Sequence, residues 1–138
     1  MEEVKERALK IMDKKDVGVL ATIADNKPVA RYMSFYSEGF NLYTITDKRT
    51  EKVEDIQNNP HVFVLLGHEE GMFDKDYVEI EGTVSTSTDQ EIIDKAWNKY
   101  MDKHYSSKDD PNILVLKIEA SKVNLKNRTG SEIQEIIV

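Results

Sequence analysis

Apolar residues in this chain come mostly in short alternating runs divided by turn signals, a pattern suited to the strands of a β-rich fold. Residues 17–23 (VGVLATI) are rich in β-branched side chains and read as a strand. Asp25, Asn26, Lys27 and Pro28 make a turn, and the chain returns through residues 29–36. Ser37, Glu38 and Gly39 form the next turn, with Gly39 suited to positive φ. Residues 40–46 (FNLYTIT) alternate as a third strand, so these three are expected to form a meander. Residues 61–67 (HVFVLLG) are continuously apolar, as for a strand buried on both faces. In residues 76–87, Val78, Ile80 and Val84 share one face, while Tyr77, Glu79, Glu81 and Thr83 share the other. Gly82 inside that strand marks a bulge or a close backbone approach. Residues 113–118 form a further strand, and Ala120-Ser121 bends the chain into a last short one at 122–126.

Helical spacing appears in three places. Val4, Ala8, Leu9, Ile11 and Met12 recur on one face of residues 3–15. Val53 and Ile56 do so within 47–59, which Asn58-Asn59-Pro60 ends. Residues 89–103 carry Ile92, Ile93, Ala96, Trp97, Tyr100 and Met101 as a stripe. Residues 68–76 and 106–111 read as polar loops, and 127–138 as a tail or C-terminal extension. The expected fold class is mainly β: a closed antiparallel barrel of six to seven strands with peripheral helices, which removes exposed edges. With 138 residues, a single domain over 1–138 is expected.

Composition removes several function classes. With no cysteine, disulfides, thiolate metal sites and cysteine nucleophiles are excluded. The net charge of −7 argues against nucleic-acid binding, which needs a basic face. The N-terminal stretch mixes acids and bases without a signal-peptide core, and no apolar run approaches the roughly 18 residues of a membrane span. A cytoplasmic location is the expectation.

The basic residues cluster in one place. Lys48, Arg49 and Lys52 crowd the start of the second predicted helix, with Thr46 and Thr50 beside them. Cations there oppose the helix macrodipole, and a bound anion removes the conflict: backbone N–H groups, hydroxyls and basic side chains form a phosphate cradle. Arg31 reaches the same point if the second and third strands pair. The competing reading is a solvated face, because Glu51, Glu54 and Asp55 lie there too.

Arg31-Tyr32-Met33-Ser34-Phe35-Tyr36, then Gly39-Phe40, then Leu42-Tyr43-Thr44 resembles the strand–turn–strand of the pyridoxamine 5′-phosphate oxidase-like FMN-binding split-barrel family. Thr50-Glu51-Lys52, Ile56 and Asn58-Asn59-Pro60-His61-Val62 resemble its Ser-x-Lys helix and Asn-Pro strand entry, and residues 78–82 its apolar strand ending in Gly. Trp97 and Asp110-Pro111 are similar to features of the family's general stress protein 26 branch. The resemblance implies a homodimer holding FMN at its interface. Arg31 and Lys52 would grip the phosphate, with Thr50 and Arg49 adding hydrogen bonds. Tyr32, Met33 and Ser34 would lie along the isoalloxazine, and Tyr43 and Thr44 along the ribityl and phosphate side. Tyr77 stands where the oxidases carry a flavin-contacting Gln. The protein would orient and tune the flavin, which supplies the redox chemistry toward a small-molecule substrate.

The namesake oxidation is not expected. Tyr36 replaces a substrate-phosphate Lys, and Leu125 followed by Asn127-Arg128-Thr129 replaces a flavin-contacting Trp and an Arg-x-His motif. A flavin-dependent oxidoreductase is the first reading, and a non-enzymatic flavin-binding stress protein the second. Deazaflavin, haem or an empty site are the cofactor alternatives. His61, His68 and His104 lack ligand spacing as a metal set, although one could serve a haem. Glu79 and Glu81 read as a solvated strand face before acid–base groups, Asp109-Asp110 as a turn before a Mg²⁺ site, and Trp97 as packing before flavin stacking. No G-x-S-x-G nucleophile pattern is present.

Overall fold

A computed structural model describes residues 2–14, 17–67, 76–127 and 133–138. Among the described residues eight strands form one antiparallel sheet in the order β2-β1-β5-β6-β7-β4-β3, with β8 also paired to β7. The hairpin of β1 (Val17–Ala24) and β2 (Lys27–Ser34) turns through Asp25 and Asn26, at φ 51° and 64°. Two consecutive positive φ values suit the type I′ turn that matches strand twist. Pro28 is tolerated inside β2 because β2 ends the strand order and, among the described residues, pairs with β1 alone.

The expected meander is present with its middle strand broken. Phe35 separates β2 from β3 (Tyr36–Glu38), which turns at Gly39 (φ 61°) and pairs with β4 (Asn41–Asp47). The Phe35 ring is buried, and Gly18 in β1 leaves room for it. A Cβ on Gly18 would lie 3.2 Å from that ring and 2.4 Å from the Leu65 carbonyl oxygen. Since β2 and β3 are successive parts of one passage of chain, both ends of the strand order meet at Phe35. The sheet thereby closes into a split barrel.

The other strands complete the wall. β5 (His61–Leu66) pairs with β1 and with β6 (Asp76–Ser87). β7 (Ile113–Asn127) is continuous where two strands were expected. The bend at Ser121 is a bulge opposite Glu81 and Gly82, and a Cβ on Gly82 would sit 2.5 Å from the Glu119 carbonyl oxygen. β8 (Ile133–Ile136) arises within the tail and anchors Ile136 in the core. Of the loop expected at 68–76, Asp76 instead begins β6 and residues 68–75 lie outside the described residues, as do Arg128 and Thr129.

β5 departs from expectation. Val62, Val64 and Leu66 are buried, whereas Phe63 is half-buried and Leu65 exposed. No described element covers that outer face, so its apolar side chains stay in solvent in one chain. The core inside the barrel includes Leu20, Val64, Ile80 and Ile118, with Ala8 and Met12 of α1 (Glu2–Met12) and Ile56 of α2 (Glu51–Asn58) packed in. A second cluster joins Tyr43, Ile45 and Val115 to Ile93, Ala96 and Met101.

Those last residues come from two helices, where the apolar stripe predicts one. α3 (Gln90–Ala96) and α4 (Lys99–His104) are divided at Trp97 and Asn98. An Asn side chain competes for backbone hydrogen bonds, and Asn98 Oδ1 accepts from the Tyr100 N–H at 2.9 Å to start α4. Tyr100, expected within the stripe, is consequently 67% exposed.

Candidate functional site

A cavity of about 480 Å³ opens where the end of β2, the end of β4, the start of α2 and α4 converge. Of the predicted residues, Tyr32, Met33, Ser34, Thr46, Thr50 and Lys52 line it. The Lys52 ammonium donates to Thr46 Oγ1 at 3.0 Å. Thr50 N-caps α2 without a side-chain cap, and its hydroxyl instead donates to the Asp47 carbonyl oxygen at 2.9 Å. Thr44 does not line the cavity but ties its walls together, donating to the Ser34 carbonyl oxygen at 2.8 Å.

Arg31 reaches this region by a different route from the one expected. β2 does not pair with β4, so the guanidinium is positioned through β1, donating to Thr22 Oγ1 at 2.7 Å. α2 packs over β1 and brings Lys52 close enough for the two cations to repel. Burial, and then Arg31, lowers the Lys52 pKa, with Asp47 opposing; burial lowers that of Arg31, with Asp55 opposing. Among the described residues neither cation forms an ion pair. Arg31 itself is not among the residues that line the cavity.

Three predicted residues lie elsewhere. Arg49 precedes α2 and grips Asp47, its Nε and Nη2 donating to the carboxylate at 2.9 and 2.6 Å. That pairing, with the Arg49 backbone N–H at 2.8 Å, holds the Asp47 carboxyl at about 2. Tyr43 belongs to the second apolar cluster. Tyr77 sits on β6 opposite Lys126, separated from β2 by β1 and β5. The macrodipole conflict also changes: Lys48 and Arg49 lie in a turn, and Glu51 and Glu54 occupy the first helical turn.

The cavity also contains residues that pattern reading did not select. Val17, Ile45 and Asp47 come from strand ends, and Asn98, Tyr100, Met101, His104 and Tyr105 from the α4 segment. Asn98 donates its amide to Ser34 Oγ at 2.8 Å, clamping α4 to β2. The available signal was an Asn inside an otherwise apolar-periodic helix. Other expectations settle locally: Glu79 pairs with Lys126 at 2.8 Å, and Asp110 caps a turn through the Asn112 N–H at 2.9 Å. Trp97 packs beside Tyr105 and donates to Asp102 at 2.7 Å.

The class defined by the fold is a split barrel, here with part-buried cations beside a cavity. Comparison narrows the class: residues 4–127 match the family model described as pyridoxamine 5′-phosphate oxidase, and the chain belongs to that family. It is 39% identical over 126 residues to general stress protein 26 of Bacillus subtilis strain 168, covering 91% of this chain and 90% of that one. The crystal structure of general stress protein 26 from Bacillus anthracis superposes with a TM-score of 0.88 at 32% identity, covering 99% of both chains. A Clostridium acetobutylicum protein related to general stress protein 26 shares the fold, with a TM-score of 0.81 at 15% identity over 100% of this chain and 96% of that one. Among the described residues no helix is long and apolar enough to cross a membrane.

Proposed function

We propose that this chain binds FMN in the cavity and works as a flavin-dependent oxidoreductase on a small molecule, as a homodimer and as one domain. The observation that carries the reading is the pair Arg31 and Lys52, part-buried cations held together without a carboxylate ion pair among the described residues. A phosphate dianion offsets both the desolvation of these cations and their repulsion, which an apolar ligand cannot do. Family membership supports the same reading.

Lys52, with Thr46 and Thr50, would hold the phosphate, and Arg31 would add its field from outside the lining. Tyr32, Met33 and Ser34 form the wall along which the ring system would lie, and Thr44 keeps that wall in place. Arg49 contributes by neutralising Asp47, which otherwise faces the phosphate with a like charge. When bound, flavin supplies the hydride or electron chemistry. The chain's own residues bind and orient it and exclude water.

The outer sheet face supports the dimer. Val17, Tyr32 and Leu65 are exposed on one side of β2-β1-β5, with Val19, Ala21 and Phe63 between them in register. A continuous apolar face of this kind marks an association surface. Val17 and Tyr32 also line the cavity, so a second copy on this face would cover its mouth. Tyr77, on the outer face of β6, would then approach the ligand from the partner copy.

Flavin in the purified protein gives an absorbance band near about 450 nm. Arg31→Ala combined with Lys52→Ala should abolish FMN binding with the fold retained, and undiminished affinity would sink the phosphate assignment. FMN binding without NAD(P)H-dependent turnover on any acceptor turns the reading toward flavin storage or sensing. Haem has one specific observation in its favour, the presence of His104 in the cavity lining. A Soret band lost in His104→Ala would select it.

A further inference from the structure

We propose that the cavity-facing side of α4 is a second-ligand subsite, selective for a neutral, planar aromatic molecule. This rests on FMN occupying the Lys52 end. Tyr100, Met101, His104 and Tyr105 stand at helical spacing on one side of the α4 segment, and all four line the cavity. They differ in burial as a subsite requires. Met101 is 7% exposed and anchors the helix, whereas Tyr100 is 67% exposed and presents its ring beside the cavity. Tyr105 is braced by Trp97, whose ring lies 6.1 Å away.

The segment is also fixed in place. Asn98 both starts α4 and clamps it to Ser34, a member of the wall along which the flavin is placed. An aromatic side chain held beside that wall offers a face on which a flat ligand can stack.

Charge decides the ligand class. The cations at the cavity are already committed: Lys52 and Arg31 to the phosphate, and Arg49 to Asp47 by two side-chain hydrogen bonds. Lys99 and Lys103 of α4 are outside the lining, so what the segment presents to the cavity is aromatic and thioether surface with a single histidine. A second anionic ligand therefore finds no paired cation in the lining there, while an uncharged ring system loses far less by desolvation.

Trp97, the chain's one tryptophan, adjoins α4 and provides a readout independent of turnover. The test titrates FMN-loaded protein, with the flavin oxidised, against 1,4-naphthoquinone and its 2-sulfonate, following Trp97 emission. The absence of cysteine removes thiol addition to the quinone. The neutral quinone should bind roughly tenfold or more tightly than the sulfonate, the scale of one lost stacking or charge contact. Tyr100→Ala should weaken the quinone by roughly tenfold, Tyr100→Phe should restore it, and FMN affinity should stay unchanged in both. Equal binding of the two quinones, or an unaltered Tyr100→Ala titration, overturns the subsite and leaves FMN binding standing. Failure of the wild-type protein to take up FMN, read by flavin fluorescence, overturns both.

Discussion

Replacing Lys52 with Met separates a ligand-binding cation from a structural one, because the two roles predict opposite effects on the empty protein. Lys52 donates to Thr46 at 3.0 Å, and losing a hydrogen bond of this kind costs about 0.5–1.5 kcal/mol. Against that stands removal of a part-buried ammonium whose pKa is lowered by burial and by Arg31. Met keeps the length and apolar volume of the side chain, so packing changes little. The empty variant should therefore lie within about 1 kcal/mol of the parent, a shift in Tm of less than about 5 °C. FMN binding should respond far more. A charge-assisted hydrogen bond contributes about 1.5–3 kcal/mol, so the dissociation constant should rise roughly ten- to hundredfold. The pH dependence supplies an independent sign. Lys52 titrates below its usual 10.5 in the empty fold, so unfolded chains bind more protons between the two values and stability rises with pH across that window. Lys52→Met should lose this rise. FMN affinity in the parent should fall as pH climbs through the lowered pKa, since the phosphate needs the charged form. Calorimetric FMN titration and denaturant melts between pH 7 and roughly 11 measure all of these. A variant that binds FMN normally but is strongly destabilised when empty would refute the reasoning, leaving Lys52 as a strut for Thr46.

Three further outcomes follow from other parts of the molecule. Leu65→Asp places a charge on the exposed apolar face and should shift sedimentation from dimer to monomer; an unchanged dimer moves the interface elsewhere. Gly82→Ala should destabilise the protein by roughly 1–3 kcal/mol, since its Cβ would meet the Glu119 carbonyl oxygen at 2.5 Å, and a neutral result would mean that the bulge yields. The Asp47 carboxyl should titrate at about 2 by NMR, against an ordinary 3.8, and move back up in Arg49→Ala. Its depressed pKa means that its contribution to stability is present above 3.8 and lost as pH falls through about 2.

The strands were legible because period-two burial is local: β6 runs over the predicted residues, with Val78, Ile80 and Val84 buried. Gly82 likewise announced both the bulge and the close approach. The failures involve what a strand meets. Residues 61–67 looked buried on both faces because an apolar run does not say which of its faces the fold covers. Residues 89–103 looked like one helix because the stripe continues through Trp97, and the interruption depends on a single Asn98 side chain. That break positions Tyr100 and His104 at the cavity, so missing it hid one wall of the site.

The cation cluster shows the same limit in sharper form. Counting charges near a predicted helix start grouped Lys48, Arg49 and Lys52, but only Lys52 faces the cavity, and Arg49 is spent on Asp47. What unites Arg31 with Lys52 is the break at Phe35. Before it, the passage pairs with β1, which carries Thr22 to hold Arg31; after it, the passage pairs with β4, which carries Thr46 to hold Lys52. Tyr32, Met33 and Ser34 end the first half, so their edge away from β1 has no ladder partner among the described residues. Thr44 takes the Ser34 carbonyl oxygen, and the edge before it opens on the cavity. A barrel closed by one unbroken strand would have filled that edge with β4 and left no seam for a ligand. The residue that most determines the site is therefore Phe35, which does not itself line it: its burial against Gly18 splits the strand, and the split makes the cavity.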